Sequence, residues 1–276
     1  MSNLDRGLDV LELLVPHGEG LPLSTIAERL DLPKSGAHRL LAALVQRGYV
    51  RQDPRSQGYG LTLRVAALGF EVLAASRIPD VCQPVLDRLA AASGELVRLT
   101  VAEAEGLTWV ARAQGAQFGL RYDPEMGTRA ALHVTAVGQA WLASLPEDRA
   151  VRLALAQPGF GEPARYGPNA LRTVPALLAK LAETRARAWG MVVEEAERGA
   201  AAMAMVVRDG SDRAAAVVGT VSIAGPSMRH TVERMQALAP HLAAAAAELS
   251  QLWPMRRYTA ARPDAVQLSG QEATPL

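Results

Sequence analysis

A chain of 276 residues exceeds the usual size of one domain, and with 49% hydrophobic and 21% charged residues it can build a core in each of two bodies. The formal net charge of +1 gives no overall attraction to nucleic acid, so any such interaction must come from local clustering. The single cysteine, Cys82, excludes an internal disulfide framework and cysteine-rich zinc modules, and it reads as a small buried hydrophobe rather than a nucleophile.

The opening MSNLDRGLDVLELL carries acids inside its apolar stretch and does not read as a secretory signal. No apolar run reaches the roughly 20 residues of a membrane span. The expectation is a cytoplasmic protein with no membrane partner.

Leu4, Leu8, Leu11 and Val15 recur at helical spacing, which predicts a first helix ended by Pro16-His17-Gly18. Ser24 is the expected cap of a second helix with Ile26, Ala27 and Leu30 inward. Asp31-Leu32-Pro33 forms a turn, and a third helix runs from about Pro33 to Arg47 with Ala37, Leu40, Leu41 and Leu44 buried. Asp53-Pro54 and Gln57-Gly58 separate two short runs, Tyr49–Gln52 and Tyr59–Thr62, as in a hairpin. Three helices and a hairpin make a winged helix-turn-helix. Between residues 34 and 64 the basic side chains Lys34, Arg39, Arg47, Arg51, Arg55 and Arg64 stand against the single acid Asp53. Such a stripe suits phosphate, and the start of the third helix suits base edges in the major groove of double-stranded DNA. The candidate DNA-binding residues are Lys34, Ser35, Gly36, His38 and Arg39 on the helix, with Arg51 and Arg55 on the wing.

The segments LDRGLDVLELL, LPLSTIAERLDLPKSGAHRLLAALVQRGYVRQD and YGLTLRVAALG resemble the DNA-binding domain of the IclR family of bacterial transcription regulators. The family resemblance implies a following linker helix, an effector-sensing domain, and dimers or tetramers. Gly36 departs from the β-branched threonine usual at that place, so the operator sequence does not carry over.

The chain is expected to divide into a winged helix-turn-helix over 1–62, a linker helix over 63–77, an effector-binding domain over 78–253 and a flexible tail over 254–276. Leu61, Val65, Leu68 and Val72 give the linker an apolar face expected to pair with a second subunit. Ile78-Pro79 marks the boundary before a helix over Val81–Ser93. Val97–Ala104 and Leu107–Ala113 alternate as a hairpin, and Phe118–Tyr122, Met191–Glu194, Met203–Arg208 and Val217–Ile223 are further expected strands, flanked by helices over 135–145, 147–156, 173–188 and 229–252. The fold class is α+β.

The stretches GTRAALHVTAVGQAWLA, LAETRARAWGMVVEEAERGAAAMAMVV and VVGTVSIAGP resemble the effector domain of the same family, a GAF-like α/β fold. Thr135 can cap the helix that starts at Ala136, leaving the amides of Ala136 and Val137 as a carboxylate site. In family members that take small oxo-acids an aspartate, a cysteine and two serines surround the ligand; the motif places these at Val192, Ala202, Ser222 and Ala224, so one polar group of four remains. With Met191, Val193, Met203, Ile223, Met126 and Trp141 expected near the same cavity, the resemblance implies an aromatic or otherwise hydrophobic organic acid as effector, with Arg121 or His133 as a second anchor. The histidines at 17, 38, 133, 230 and 241 show no paired metal-ligand spacing, and neither a metal nor a cofactor is expected. The alternative is an enzyme or ligand-storage body carrying a DNA-binding head, with Ser222 and His133 in catalytic roles.

Overall fold

The computed structural model describes residues 2–253 apart from 104, 125, 127, 163, 164 and 213. The expected flexible tail over 254–276 lies outside the described residues. The chain divides after Ala75 into two compact units, and no helix is long and apolar enough to cross a membrane among the described residues.

In the first unit α1 spans Asn3–Leu14 and is opened by a reciprocal cap: Asp5 N donates to Ser2 Oγ at 3.1 Å while Ser2 N donates to Asp5 Oδ2 at 2.7 Å. α2 spans Leu23–Arg29 and corrects the expectation for Ser24, because the cap is Pro22, with no side-chain hydrogen bond, and Ser24 lies inside the first turn. The rigid φ of proline fixes the entry there instead of a hydroxyl. α3 spans Lys34–Gln46 behind Pro33 and buries Ala37 and Leu41, while Leu40 and Leu44 are half-buried. β1 (Val50–Gln52) and β2 (Tyr59–Leu61) pair antiparallel with Arg51 opposite Gly60, and Leu21 bridges to Tyr59 on the other side of β2. Val10, Leu14, Ile26, Leu41, Val50 and Tyr59 form the core. α4, Leu63–Ser76, buries none of its residues.

The second unit is a five-stranded antiparallel sheet in the order β4-β3-β7-β6-β5, built from β3 (Leu96–Glu103), β4 (Gly106–Gln114), β5 (Gly190–Val193), β6 (Ala200–Arg208) and β7 (Val217–Pro226). α5 (Ile78–Ser93) starts at the expected boundary itself, three residues earlier than anticipated, since proline in a first turn forfeits no hydrogen bond. α6 (Ala136–Ala143), α7 (Glu147–Leu155), α8 (Val174–Arg187) and α9 (Val232–Leu252) complete it.

Phe118–Tyr122 is not a strand. Phe118 and Leu120 are exposed, and the segment is held by side chains: Gln114 Nε2 donates to the Tyr122 carbonyl at 3.2 Å and Arg121 donates to the Gln117 carbonyl at 2.6 Å. Arg129 instead bridges to Thr108 on β4.

Helices cover both faces of the sheet. Val97, Leu99, Met203, Val221 and Ile223 point toward the core shared with α5 and α9, and the alternate positions, among them Val192 and Ala204, join the cluster around α6. α6 sits close to the sheet because Gly190 has no side chain: a Cβ there would collide with the Ala136 carbonyl, and one at Gly138 with Leu132. Gly190 thus sets how closely the start of α6 approaches β5, and Gly138 how closely α6 packs on the turn before it.

Candidate functional site

On the first unit Lys34, Ser35, His38 and Arg39 are exposed at i, i+4 spacing, placing them on neighbouring ridges of α3, and Gly36 is half-buried beside them. A Cβ at Gly36 would meet only Pro33 Cδ, at 3.9 Å. Arg51 and Arg55 are exposed on the wing. Asp53, the one acid of the stretch, is turned onto its own backbone: its Oδ1 accepts from Ser56 N at 2.8 Å, Arg55 N at 2.9 Å and Ser56 Oγ at 3.1 Å. Those amide and hydroxyl donors hold its carboxyl below the usual range. The wing thus presents cations outward while its acid shapes the turn. Thr62 ties the base of the wing by donating to the Gly48 carbonyl at 2.6 Å.

On the second unit a narrow cleft lies between the start of α6 and the sheet. Its walls include Thr135, Ala136, Val137, Val192, Ala202, Ser222 and Ala224, so seven of the effector residues expected from the sequence come together. Ala196 and Ala200 add methyl groups, Ala201 its backbone, and Arg98, Trp109 and Tyr122 larger side chains. Thr135 Oγ1 accepts from Gly138 N at 3.2 Å and donates to the Ala131 carbonyl at 2.7 Å, which occupies its hydroxyl as the cap of α6. The amides of Ala136 and Val137 are first-turn groups, which no carbonyl within a helix reaches.

Arg121, Met126, His133, Trp141 and Met203 are not among the lining residues. Arg121 is exposed and donates to the Gln117 carbonyl. Met126 and Trp141 pack in the cluster around α6. Met203 lies on the opposite face, with Ile223, Met191 and Val193, because successive strand residues alternate sides. The width expected from those four side chains is therefore absent, and alanine and valine form the apolar walls. His133 is buried edge-on to Phe160 and Tyr166, with centroids 5.1 and 5.0 Å away, and burial lowers its pKa to about 4. Ser222 Oγ donates to the Arg98 carbonyl at 3.4 Å, and no hydrogen bond joins it to His133.

Sequence reasoning missed Arg98. It is 8% exposed, its guanidinium lies 3.6 Å from the centroid of Trp109, and Tyr122 is 5.9 Å away. Burial lowers its pKa to about 10, which leaves it charged at neutral pH, and raises that of Tyr122 to about 12. The available signal was a charge in the middle of LVRLT; an alternating strand reads it as solvent-facing, whereas here both faces of the sheet are covered. Also missed was the anchor of the loop that supplies Ala196. Buried Glu195 receives Lys180 Nζ at 2.7 Å and Gln139 Nε2 at 2.5 Å, joining that loop to α8 and α6. Burial raises the Glu195 pKa against the pull of Lys180.

Residues 3–54 match the IclR helix-turn-helix domain and residues 70–251 match the bacterial transcriptional regulator IclR C-terminal domain. The HTH-type transcriptional regulator BhcR of Paracoccus denitrificans is 30% identical over 253 residues, which cover 90% of this chain and 85% of that protein. A transcriptional regulator structure from Rhodococcus sp. RHA1 superposes with a TM-score of 0.74 at 26% identity, covering 92% of this chain and 99% of that one. An IclR homologue from Microbacterium hydrocarbonoxydans, solved in complex with 4-hydroxybenzoate, has the same fold at 23% identity and a TM-score of 0.73, covering 92% and 100%. With a winged helix bearing exposed cations, a helix-covered sheet holding a polar-ended cleft, and family models that together span most of its length, the chain belongs to the IclR family of bacterial transcriptional regulators.

Proposed function

We propose that this protein is a ligand-responsive regulator that binds operator DNA through α3 and the wing and senses a small organic acid, aromatic or otherwise hydrophobic, in the cleft at the start of α6. Lys34, Arg39, Arg51 and Arg55 make phosphate contacts, and Ser35, Gly36 and His38 sit at base edges. The observation that carries the sensor reading is the cleft itself, whose alanine and valine walls end at the first-turn amides of Ala136 and Val137. Apolar walls with a few polar anchors suit a compact acid, and a helix N-terminus favours its carboxylate. The 4-hydroxybenzoate complex of the Microbacterium homologue supports an aromatic acid as the class. The working form is a dimer or tetramer, in which Leu63, Phe70 and Val72, exposed on α4, meet a second copy. The acid changes operator affinity only to the extent that it binds the two arrangements of the assembly unequally.

The test is a thermal-shift panel of aromatic acids and small oxo-acids, run with and without promoter DNA, followed by recovery of the bound compound. Aromatic acids are expected to raise the melting temperature and to be recovered unchanged. A shift by oxo-acids alone defeats the assigned class, and chemical conversion of the ligand defeats the sensor in favour of an enzyme.

A further inference from the structure

Arg98 lies in none of the ion pairs among the described residues, and its Nε has no hydrogen-bond partner there although the side chain is buried. No acid is in ion-pair contact with it: Asp123 pairs with Arg112 at 2.6 Å and Glu197 is exposed, and both favour its charge only from a distance. Tyr122, a cleft residue, is its polar neighbour, and one face of the guanidinium is covered by Trp109. A buried cation with no acid in contact is costly, and an anion brought into the cleft would relieve that cost. The planar guanidinium holds a carboxylate through two parallel hydrogen bonds. The same cleft is also lined by Ala136 and Val137 at the start of α6, whose first-turn amides attract an anion.

We propose that the effector is bifunctional: an acid whose carboxylate pairs with Arg98 and whose far end carries a second acceptor, a carboxylate or a hydroxyl oxygen, taken by the amides of Ala136 and Val137. This rests on the sensor reading proposed for the cleft and narrows its ligand class. The methyl groups of Ala202, Ala224 and Val192 then enclose the apolar body between the two polar ends, and Ser222 serves as a wall. Arg98 is a specificity-determining residue of the cleft, since an acid of equal size without the second acceptor leaves one of the two ends unpaired.

The experiment compares terephthalate with 4-methylbenzoate, which has nearly the same shape but no second acceptor, by calorimetric titration of the full-length protein. Terephthalate is expected to bind at least about tenfold more tightly, the scale of one charge-assisted hydrogen bond, and 4-hydroxybenzoate to fall between the two. In Arg98→Met the preference collapses to about one, and Arg98→Lys, which keeps the charge but not the fork, retains part of it. Should Arg98→Met fold poorly, the wild-type ratio and the Arg98→Lys ratio decide the matter. Equal binding of the two acids by the wild-type protein, or an undiminished preference in either variant, overturns the bifunctional ligand and leaves the sensor intact. Binding of no aromatic acid at all overturns the sensor reading and this inference together.

Discussion

Replacing Ala202 by aspartate tests the electrostatics of the cleft. Ala202 lines the cleft on β6, opposite Val192 on β5 and Ala224 on β7, and all three side chains belong to its apolar wall. An acid bound in this cleft places its carboxylate on the order of 9 Å, about one small ligand's length, from a carboxylate at Ala202. At an effective dielectric constant of about 20, two unit charges about 9 Å apart repel by about 2 kcal/mol. That corresponds to binding weakened about 20-fold. Any pairing of the new aspartate with Arg98 acts in the same direction, by removing the cation from the ligand. The assay is calorimetric titration at pH 7 with Ala202→Asn alongside, which has the same size and no charge. A gap of about 20-fold is expected between the two variants, narrowing as the pH falls far enough to protonate the aspartate. Equal affinities for the acid in the two variants would show that a charge at this position does not act on the ligand, and the assigned cleft would be wrong.

Three further outcomes follow from the geometry. Replacing Lys34 or Arg39 with alanine should weaken operator binding and lower the salt slope by about one for each phosphate no longer neutralised; unchanged affinity and slope in both variants would remove α3 from the interface. Gly36→Ala should stabilise the first unit by about 0.5–1 kcal/mol in denaturant melts, because its Cβ has open space and alanine is the better helix former, and a loss of stability would contradict the ordinary packing distance to Pro33. His133 and His230 are buried with pKa values of about 4, against 6.5 when exposed. Both are neutral in the fold, so between pH 6.5 and 4 the unfolded chain binds more protons. Their contribution is fully present above pH 6.5 and declines as the pH falls toward 4, by about 1.4 kcal/mol per pH unit for each histidine. His133→Phe, set against Phe160 and Tyr166, should remove one proton from that dependence; an unaltered slope in urea melts between pH 7 and 5 would refute it.

The winged helix was legible because its signals are local. Periodicity, Pro33 and the hairpin turns place α1, α3, β1 and β2 within a few residues of their expected bounds. Thr135 as the cap of α6 was legible for the same reason, since a cap acts over three residues. What the sequence concealed depends on which sheet face a residue occupies and on what covers that face. Met191, Val193, Met203 and Ile223 look like cavity walls beside Val192 and Ala202, yet the period of two turns them to the other side. Arg98 hides by the converse argument: a charge in an alternating strand reads as solvated until a second layer of helices is known to lie over it. Phe118–Tyr122 has the apolar alternation of a strand, but side-chain hydrogen bonds hold it and it is Arg129 that bridges to β4. Glu195, Lys180 and Gln139 meet across long sequence separations, and no spacing announces them.

The central claim is that occupancy of the cleft at α6 controls the grip of α3 and the wing on DNA. The most direct measurement is the affinity of the full-length protein for its promoter fragment, at fixed salt, with and without a saturating aromatic acid, in the wild type and in Ala202→Asp. The account predicts a several-fold change in operator affinity for the wild type and a clearly smaller one for the variant at an acid concentration just sufficient to saturate the wild type. An acid that occupies the cleft while leaving operator affinity unchanged, or that alters it equally in both proteins, would contradict it.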